Sequence, residues 1–516
     1  MRDFSAEYTA RSDDLAAFYG KFPQELYETP PATRDWDAGL VRDIQAFHSV
    51  RGHAADFSGS EAVVITGQQP GIFTGPLYTI YKAVTTIGLA RRLEERTGVA
   101  TVPVFWVGSE DHDFDEACTT HFLGKNHEPF PIHYRPSEPV DDLPMYKVAL
   151  DDSLHAGIDE AAANTGGSEF RDEVAALLHE TLDASDSLAD WTTRLLMRLF
   201  KDTPLVFFAP HLPAARHLAA EIIEKEIRDP LATTALLNEA GSALERLDFP
   251  TQIVKKEREC SFFIENGGQR KKVLYEKGRF ITPDDEREYT ETELLERLRA
   301  SPEHFSPNVA LRCIVQQHLF AAAAYVAGPG ELAYWAQLKG LFERYGQAMP
   351  VIYPRARCAL TTIKLNKLLR KLGLSVGDLE RHEDGLLESA LRNTSKNPGY
   401  EFERAQRGEL EMALARLVEG LEKDAPTAAA MAKSLSEDVG SKLDRIERAI
   451  LSSDATKTDA TRKQLRRLCS SLAPMRKPQE RVYNIFSFLF EYGWGLIPRL
   501  IDELDIESFE RMEVEL

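Results

Sequence analysis

The chain is poor in cysteine, has no long apolar run and is short of positive charge, and each shortage removes a class of protein. Its 516 residues hold five cysteines, Cys118, Cys260, Cys313, Cys358 and Cys469, scattered without CxxC spacing. That excludes a disulfide framework and a zinc ribbon. No apolar stretch approaches the roughly 18 residues of a membrane span, and the opening "MRDFSAEYTARSDD" has no apolar leader core. The 62 Lys and Arg stand against 82 Asp and Glu, a net charge of −20, which repels nucleic-acid phosphate and anionic lipid. The short basic runs "KKER" (255–258) and "RKK" (270–272) read as solvated faces. The expectation is a soluble cytoplasmic protein with reduced thiols, no nucleic-acid partner and no membrane contact.

What the chain does have is length for two to four units and a clear change of texture along it. "AVVIT" (62–66) is a β-branched run without polar alternation, as a strand buried on both faces requires. A glycine-punctuated loop follows, then a helix from Pro76 to about Glu95 with Leu77, Ile80, Tyr81, Val84 and Ile87 on one face. "TVPVFWV" (101–107) is a second buried strand, and strand, helix, strand opens a parallel α/β sheet. "PLVFFAP" (204–210), "AAAAYVAG" (321–328) and "MPVIYP" (349–354) supply further strands of a doubly wound sheet. Insertions fall at about 115–185 and 211–310; in the second, apolar runs flank "NGGQ" and predict a β-hairpin.

The core is thus expected over 1–360. Residues 361–475 change to Leu, Ala, Glu, Lys and Arg at helical spacing. Leu410, Leu414, Leu417 and Leu421, then Leu435, Val439, Leu443, Ile446 and Ile450, then Leu465, Leu468 and Leu472 form coiled-coil seams. Such stripes are buried by a hairpin partner or by self-association. The segment 476–516 includes "RVYNIFSFLFEYGWGLIPRLIDEL", too apolar for a free tail, and is expected to return to the core.

Three stretches at the expected sheet edge carry candidate chemistry. In "TGQQPGIFTGP", Thr66, Gln68, Gln69, Gly71, Thr74 and Gly75 form a loop before a helix whose N-terminal N–H groups suit an anion. It is neither GxGxxG nor a Walker loop. Thr74, Tyr78 and Lys82 are four apart, so Lys82 is placed to reach a phosphate or carboxylate at the loop. In "GSEDHDFDE" (108–116), Glu110, Asp111, Asp113, Asp115 and Glu116 surround His112, which predicts raised carboxylate pKa values and a stabilised imidazolium. That cluster suits a general base, Mg²⁺ or a substrate ammonium group. "GPGELAYW" offers Gly328, Gly330, Glu331, Tyr334 and Trp335 at a second strand-to-helix turn, and Arg312, Arg355 and Arg357 are candidate anion ligands. Cys118 reads as a structural thiol, nothing basic being predicted beside it.

These same stretches, with "FSPNVALR", "GPGELAYWAQLKGLFERYGQAMPVIYPR" and "PQERVYNIFSFLFEYG", resemble the bacillithiol-biosynthesis family of cysteine-adding enzymes, in matches spread from residue 63 to 493. The resemblance implies a Rossmann-like core with inserted connecting segments, distantly similar to class I aminoacyl-tRNA synthetases, and a coiled-coil domain supporting homodimers. No HxGH tetrad and no KMSKS-type loop stands in the chain. The implied reaction joins the carboxylate of cysteine to the amino group of glucosamine-malate.

Such an amide needs an activated carboxylate, so ATP is expected, with Lys82, the loop N–H groups and Mg²⁺ stabilising phosphate charge. His112, Asp113 or Asp111 would accept the amine proton. Two other classes remain open on the residues alone: a metal-dependent hydrolase built on "EDHDFDE", and a nucleotide-binding scaffold acting through its coiled coil. A tRNA-directed enzyme fits the charge worst.

Overall fold

The computed structural model describes residues 2–54, 56–453 and 455–516. They form two compact units. One comprises the residues up to Lys125, Phe130–Cys358 and Glu480–Met512; the other comprises Asn126–Pro129, Ala359–Gln479 and Glu513–Leu516.

The first unit is built on a parallel five-stranded sheet. Its spatial order is Val351–Pro354, Ala324–Ala327, Ala62–Gln68, Thr101–Val107 and Val206–Phe208. Val64 lies between Ala324 and Pro103, so the first strand in sequence is central, and every residue from Ala62 to Gly67 is buried. The absence of polar alternation in "AVVITG" follows from helices covering both faces of a parallel sheet.

From the central strand the chain moves outward to one side through Thr101–Val107 and later to the other through Ala324–Ala327. The order therefore reverses between Ala62–Gln68 and Ala324–Ala327, where connections leave in opposite directions and a crevice opens at the strands' carboxyl ends.

The Tyr78–Thr97 helix returns the chain to the second strand and ends at Gly98 in the left-handed conformation. It begins two residues later than predicted because Phe73, Thr74 and Gly75 all have positive φ and turn the loop first. This strained stretch is held by the C-terminal segment: the Asn484 side chain donates to Phe73 O and Gly75 O, and Tyr483 O accepts from Leu77 N. The segment Glu480–Met512 is part of this unit.

The insertion at 211–310 carries an antiparallel five-stranded sheet containing Glu259–Asn266 and Gln269–Glu276. Gly267 and Gly268 both have positive φ between Asn266 and Gln269, the backbone a two-residue hairpin turn demands. The insertion at 115–185 is mixed, with short strands at Thr119–Leu123 and Pro129–His133 and helices at Ser153–Asn164 and Arg171–Asp183.

The second unit is helical. Leu465, Leu468 and Leu472 of the Ala455–Leu472 helix meet Leu365, Leu369, Leu386 and Leu391 in its core. Pro398–Glu422 and Pro426–Leu451 form an antiparallel hairpin, with Arg407 bonded to Asp444. The predicted seam is split: Leu414, Leu421, Val439, Leu443 and Ile450 are half-buried, while Leu410, Leu417, Leu435 and Ile446 are exposed. Two helices cannot cover a stripe that wide. Among the described residues the five cysteines form no disulfide, and no helix is long and apolar enough to cross a membrane.

Candidate functional site

At the strand-order reversal lies a cavity of about 510 Å³. Its lining draws on both sides of the reversal: Gln68 ends the first strand and Gln69 follows it, Gly328 to Glu331 follow the fourth, and Asp111 and Glu116 follow the second.

Lys82 closes the floor. It is 4% exposed and its Nζ lies 2.5 Å from Glu331 Oε2, 2.8 Å from Gly67 O and 3.0 Å from Gln68 Oε1. One helical lysine thus ties the two strand ends together. Burial lowers its pKa against the opposing pull of Glu331. Burial would raise Glu331, but Lys82, the Tyr325 hydroxyl at 2.6 Å and Gly328 N–H at 2.7 Å outweigh it and hold the carboxyl below its usual range. Lys82 is therefore buried and paired rather than solvated.

The remaining cations come from separate elements. Arg312 donates to Tyr334 Oη at 3.1 Å and Gln316 Oε1 at 3.2 Å rather than to a carboxylate. Arg355, almost fully buried, lies 3.3 Å from Glu480 Oε1, its pKa lowered by burial against that partner. Arg481 and Tyr78 complete this wall, and burial raises the Tyr78 phenol.

Backbone N–H groups contribute less than the loop sequence suggests. Those of Thr74, Gly75, Leu77 and Thr79 all donate to carbonyls, and Gly328 N–H is taken by Glu331. Pro76 and Pro329 have none to give. Positive charge in the cavity is supplied by side chains. Gly108 serves close approach instead: a Cβ there would meet Gln68 O and Gln69 Cα at 3.2 Å.

The acidic stretch does not act as one cluster. Glu110 is buried against Arg216 at 2.6 Å, Asp113 caps the short Phe114–Ala117 helix by accepting from Glu116 N, Asp115 is exposed, and Glu116 accepts from Gln69 at 2.6 Å. Asp111 and Glu116 face the cavity. Among the described residues no three His, Cys, Asp or Glu side chains converge as a metal site would need.

The expectation of a stabilised imidazolium at His112 is overturned. Its pKa is lowered, first by burial and then by Arg270, whose Nη1 is 3.2 Å from Nδ1. Asp111, Asp142 and Asp113 oppose this without prevailing. The sequence could not show it, since Arg270 arrives from the hairpin 158 positions away.

Of the residues singled out from the sequence, Gln68, Gln69, Tyr78, Lys82, Asp111, Glu116, Arg312, Gly328, Gly330, Glu331, Tyr334 and Arg355 line the cavity. Thr66 is buried and donates to Val326 O, and Thr74 is buried at positive φ, which breaks its stripe with Tyr78 and Lys82. Gly71 and Gly75 shape the loop behind, and Trp335 packs in the core 4.8 Å from Tyr325. His112, Asp113, Asp115 and Arg357 stand outside the lining. Trp106, Gln252, Val309, Tyr325 and Arg481 were not singled out; Arg481 stands in "PQERVYNIF", whose apolar tail signalled only a return to the core. Beside Cys118, the predicted absence of a basic group is corrected by His133, whose Nδ1 is 3.8 Å from Sγ and 2.6 Å from Thr119 Oγ1.

Comparison with known proteins agrees over nearly the whole length. Residues 3–356 match the profile described as the bacillithiol biosynthesis BshC N-terminal Rossmann-like domain, and 359–516 match the BshC C-terminal coiled-coil domain. A relative from Salinibacter ruber named "Putative cysteine ligase BshC" is 33% identical over 518 residues, covering 97% of this chain and 93% of its own. One of the same name from Desulforamulus reducens is 30% identical, covering 93% and 88%.

Proposed function

Because the chain belongs to the BshC family in both its Rossmann-like and its coiled-coil parts, we propose that it is a ligase joining the carboxylate of cysteine to the amino group of glucosamine-malate, with ATP as the activating co-substrate. The observation that carries this reading is the cavity at the strand-order reversal, where Arg312, Arg355 and Arg481 stand beside the carboxylates Asp111 and Glu116. A polyanion and an ammonium group find complementary partners there.

A free carboxylate does not acylate an amine in water, so the hydroxyl it must lose is converted by ATP into a phosphate-based leaving group. Arg312, whose guanidinium donates to the Tyr334 hydroxyl and the Gln316 amide, and Arg481 offset charge on that group or on the malate carboxylates. Lys82 is committed to Glu331 and fixes the spacing of the two loops. The attacking amine must be neutral and shed a proton as the amide forms; Asp111, facing the cavity, is placed to take it. Mg²⁺ arriving with the nucleotide would find oxygen donors at Asp111 and Glu116, the carboxylate pair this ion uses beside substrate phosphates, and would supply charge neutralisation.

The test follows product by mass spectrometry with cysteine and glucosamine-malate, with and without ATP and Mg²⁺. ATP-dependent amide formation, lost in Asp111→Asn, supports the reading, and AMP rather than ADP marks an adenylate. Absence of product when both substrates are shown to bind overturns it. A homodimer through the exposed apolar face of the helical hairpin belongs to the same proposal, and replacing Leu410 and Leu417 by Lys should yield monomers in sedimentation.

A further inference from the structure

Part of the cavity wall is irregular backbone. Gln252, one of the lining residues, belongs to the connection 247–258, which leads from the Ala232–Arg246 helix to the Glu259–Asn266 strand and is itself neither helix nor strand. Backbone outside regular structure still needs hydrogen-bond partners, and here two side-chain carboxamides supply them. Gln337 Oε1 accepts from Gln252 N at 3.1 Å and from Ile253 N at 2.8 Å, while its Nε2 donates to Ile253 O at 2.8 Å and to Leu237 O at 3.3 Å. Asn238 does the same further on, donating from Nδ2 to Lys255 O at 2.9 Å and accepting from Lys255 N at 3.2 Å. A carboxamide carries the donor and acceptor of a peptide group, so each side chain acts as one rung of a neighbouring strand. Gly241 lets the connection lie this close: a Cβ there would meet Thr251 Cγ2 at 2.9 Å and Gln337 Nε2 at 3.2 Å.

The run held in this way buries Ile253 and exposes Gln252 and Val254, the alternation of extended backbone. Gln337 is 1% exposed and stands two residues after the Pro329–Trp335 helix, which brings Gly330, Glu331 and Tyr334 to the cavity. One buried glutamine thereby fixes where Gln252 lies relative to Glu331 and Tyr334.

Gln68, Gln69, Tyr325 and Tyr334, also in the lining, are engaged within the protein by Lys82, Glu116, Glu331 and Arg312. Gln252 is bonded through its backbone, and among the described residues its carboxamide has no partner in the protein. We infer that Gln252 is a specificity-determining residue that hydrogen-bonds the hydroxyls of a sugar ring, and that Gln337 is the positioning residue that holds it there. A neutral donor beside a neutral acceptor matches adjacent hydroxyls; phosphate and carboxylate are better served by the arginines of the same cavity. The inference rests on the ligase reading, which brings two such rings, the glucosamine and the ribose of ATP.

Calorimetric titration of the full-length chain tests it without turnover. The ligands are glucosamine-malate and ATP, each beside a counterpart without those ring hydroxyls, malate and dideoxy-ATP. Gln252→Ala, an exposed change that leaves the backbone clamp in place, should raise Kd about tenfold for at least one sugar-bearing ligand and leave both counterparts unmoved. A rise for glucosamine-malate assigns the glucosamine ring, and a rise for ATP assigns the ribose. An equal rise for the counterparts overturns the proposal. Gln337→Met should raise the same Kd and add nothing in the Gln252→Ala background; an independent, additive rise would reject its role as positioner. Wild-type chain that binds neither sugar-bearing ligand would overturn the ligase reading and this inference with it, whereas binding unaltered in Gln252→Ala overturns this inference alone.

Discussion

The two units handle charge in opposite ways. In the sheet unit, Lys82 is 4% exposed and its partner Glu331 is drawn below the usual carboxylate range by Lys82, the Tyr325 hydroxyl and the Gly328 N–H. In the helical hairpin, Arg407 meets Asp444 at 2.5 Å, yet their side chains are 22% and 43% exposed. The geometry is alike and the surroundings are not. A buried pair leaves a stranded charge when one member is removed, while an exposed pair is replaced by water. The buried pair can therefore define a site, and the exposed one chiefly sets the register of two helices.

The sharpest way to break this contrast is Lys82→Met. With Glu331 left unpaired, stability should fall by about 3–5 kcal/mol in urea unfolding, and K82M/E331Q should recover a large share while product formation stays lost. If the single variant cost less than about 1 kcal/mol, the two pairs would be equivalent and the contrast would fail.

Acid sharpens the same contrast. His48, in the Ala38–Ser49 helix, is buried against the edge strand, its Nε2 2.8 Å from Phe207 O and 3.0 Å from Phe207 N, and burial pushes its pKa down to about 4. Below the ordinary value of 6.5 the unfolded chain takes up a proton that the folded one refuses. Stability should thus decline as pH falls from about 6.5 to 4, by roughly 3 kcal/mol from this group. A pH series of unfolding curves for wild type and His48→Gln should show the acid decline shallower in the variant.

Asn484→Ala removes the side chain that satisfies Phe73 O and Gly75 O in the strained loop. A loss of about 1–3 kcal/mol is expected, with cofactor-saturated turnover falling as the Gln68–Gln69 edge loosens; unchanged protection of the loop amides in hydrogen exchange would count against it. The smallest effect belongs to the helical hairpin, where Asp444→Asn should change stability by less than about 1 kcal/mol and lose even that in high salt.

Much of this was legible from local pattern. The β-branched run at 62–66, the helix after Pro76 and the second strand at 101–107 show the sheet because burial on both faces leaves no room for polar alternation. "NGGQ" shows its hairpin because only the backbone of such residues turns that tightly. The seam at 410–450 was legible as helix, although its division into half-buried and exposed halves depended on how many helices stand beside it.

What the sequence determined by itself was where the chain would be strand, turn or helix, and that Gln68, Lys82, Asp111 and Gly328 would gather at one sheet edge, since these follow from periodicity and from the parallel topology it dictates. Only the tertiary structure decided which of their charges are spent. Lys82 is neutralised by Glu331, Gly328 N–H is consumed by the same carboxylate, Arg481 arrives from the C-terminal segment, and His112 is claimed by Arg270. Those outcomes depend on contacts between residues far apart in the chain, whose strength is set by burial, and burial exists only once the elements have packed.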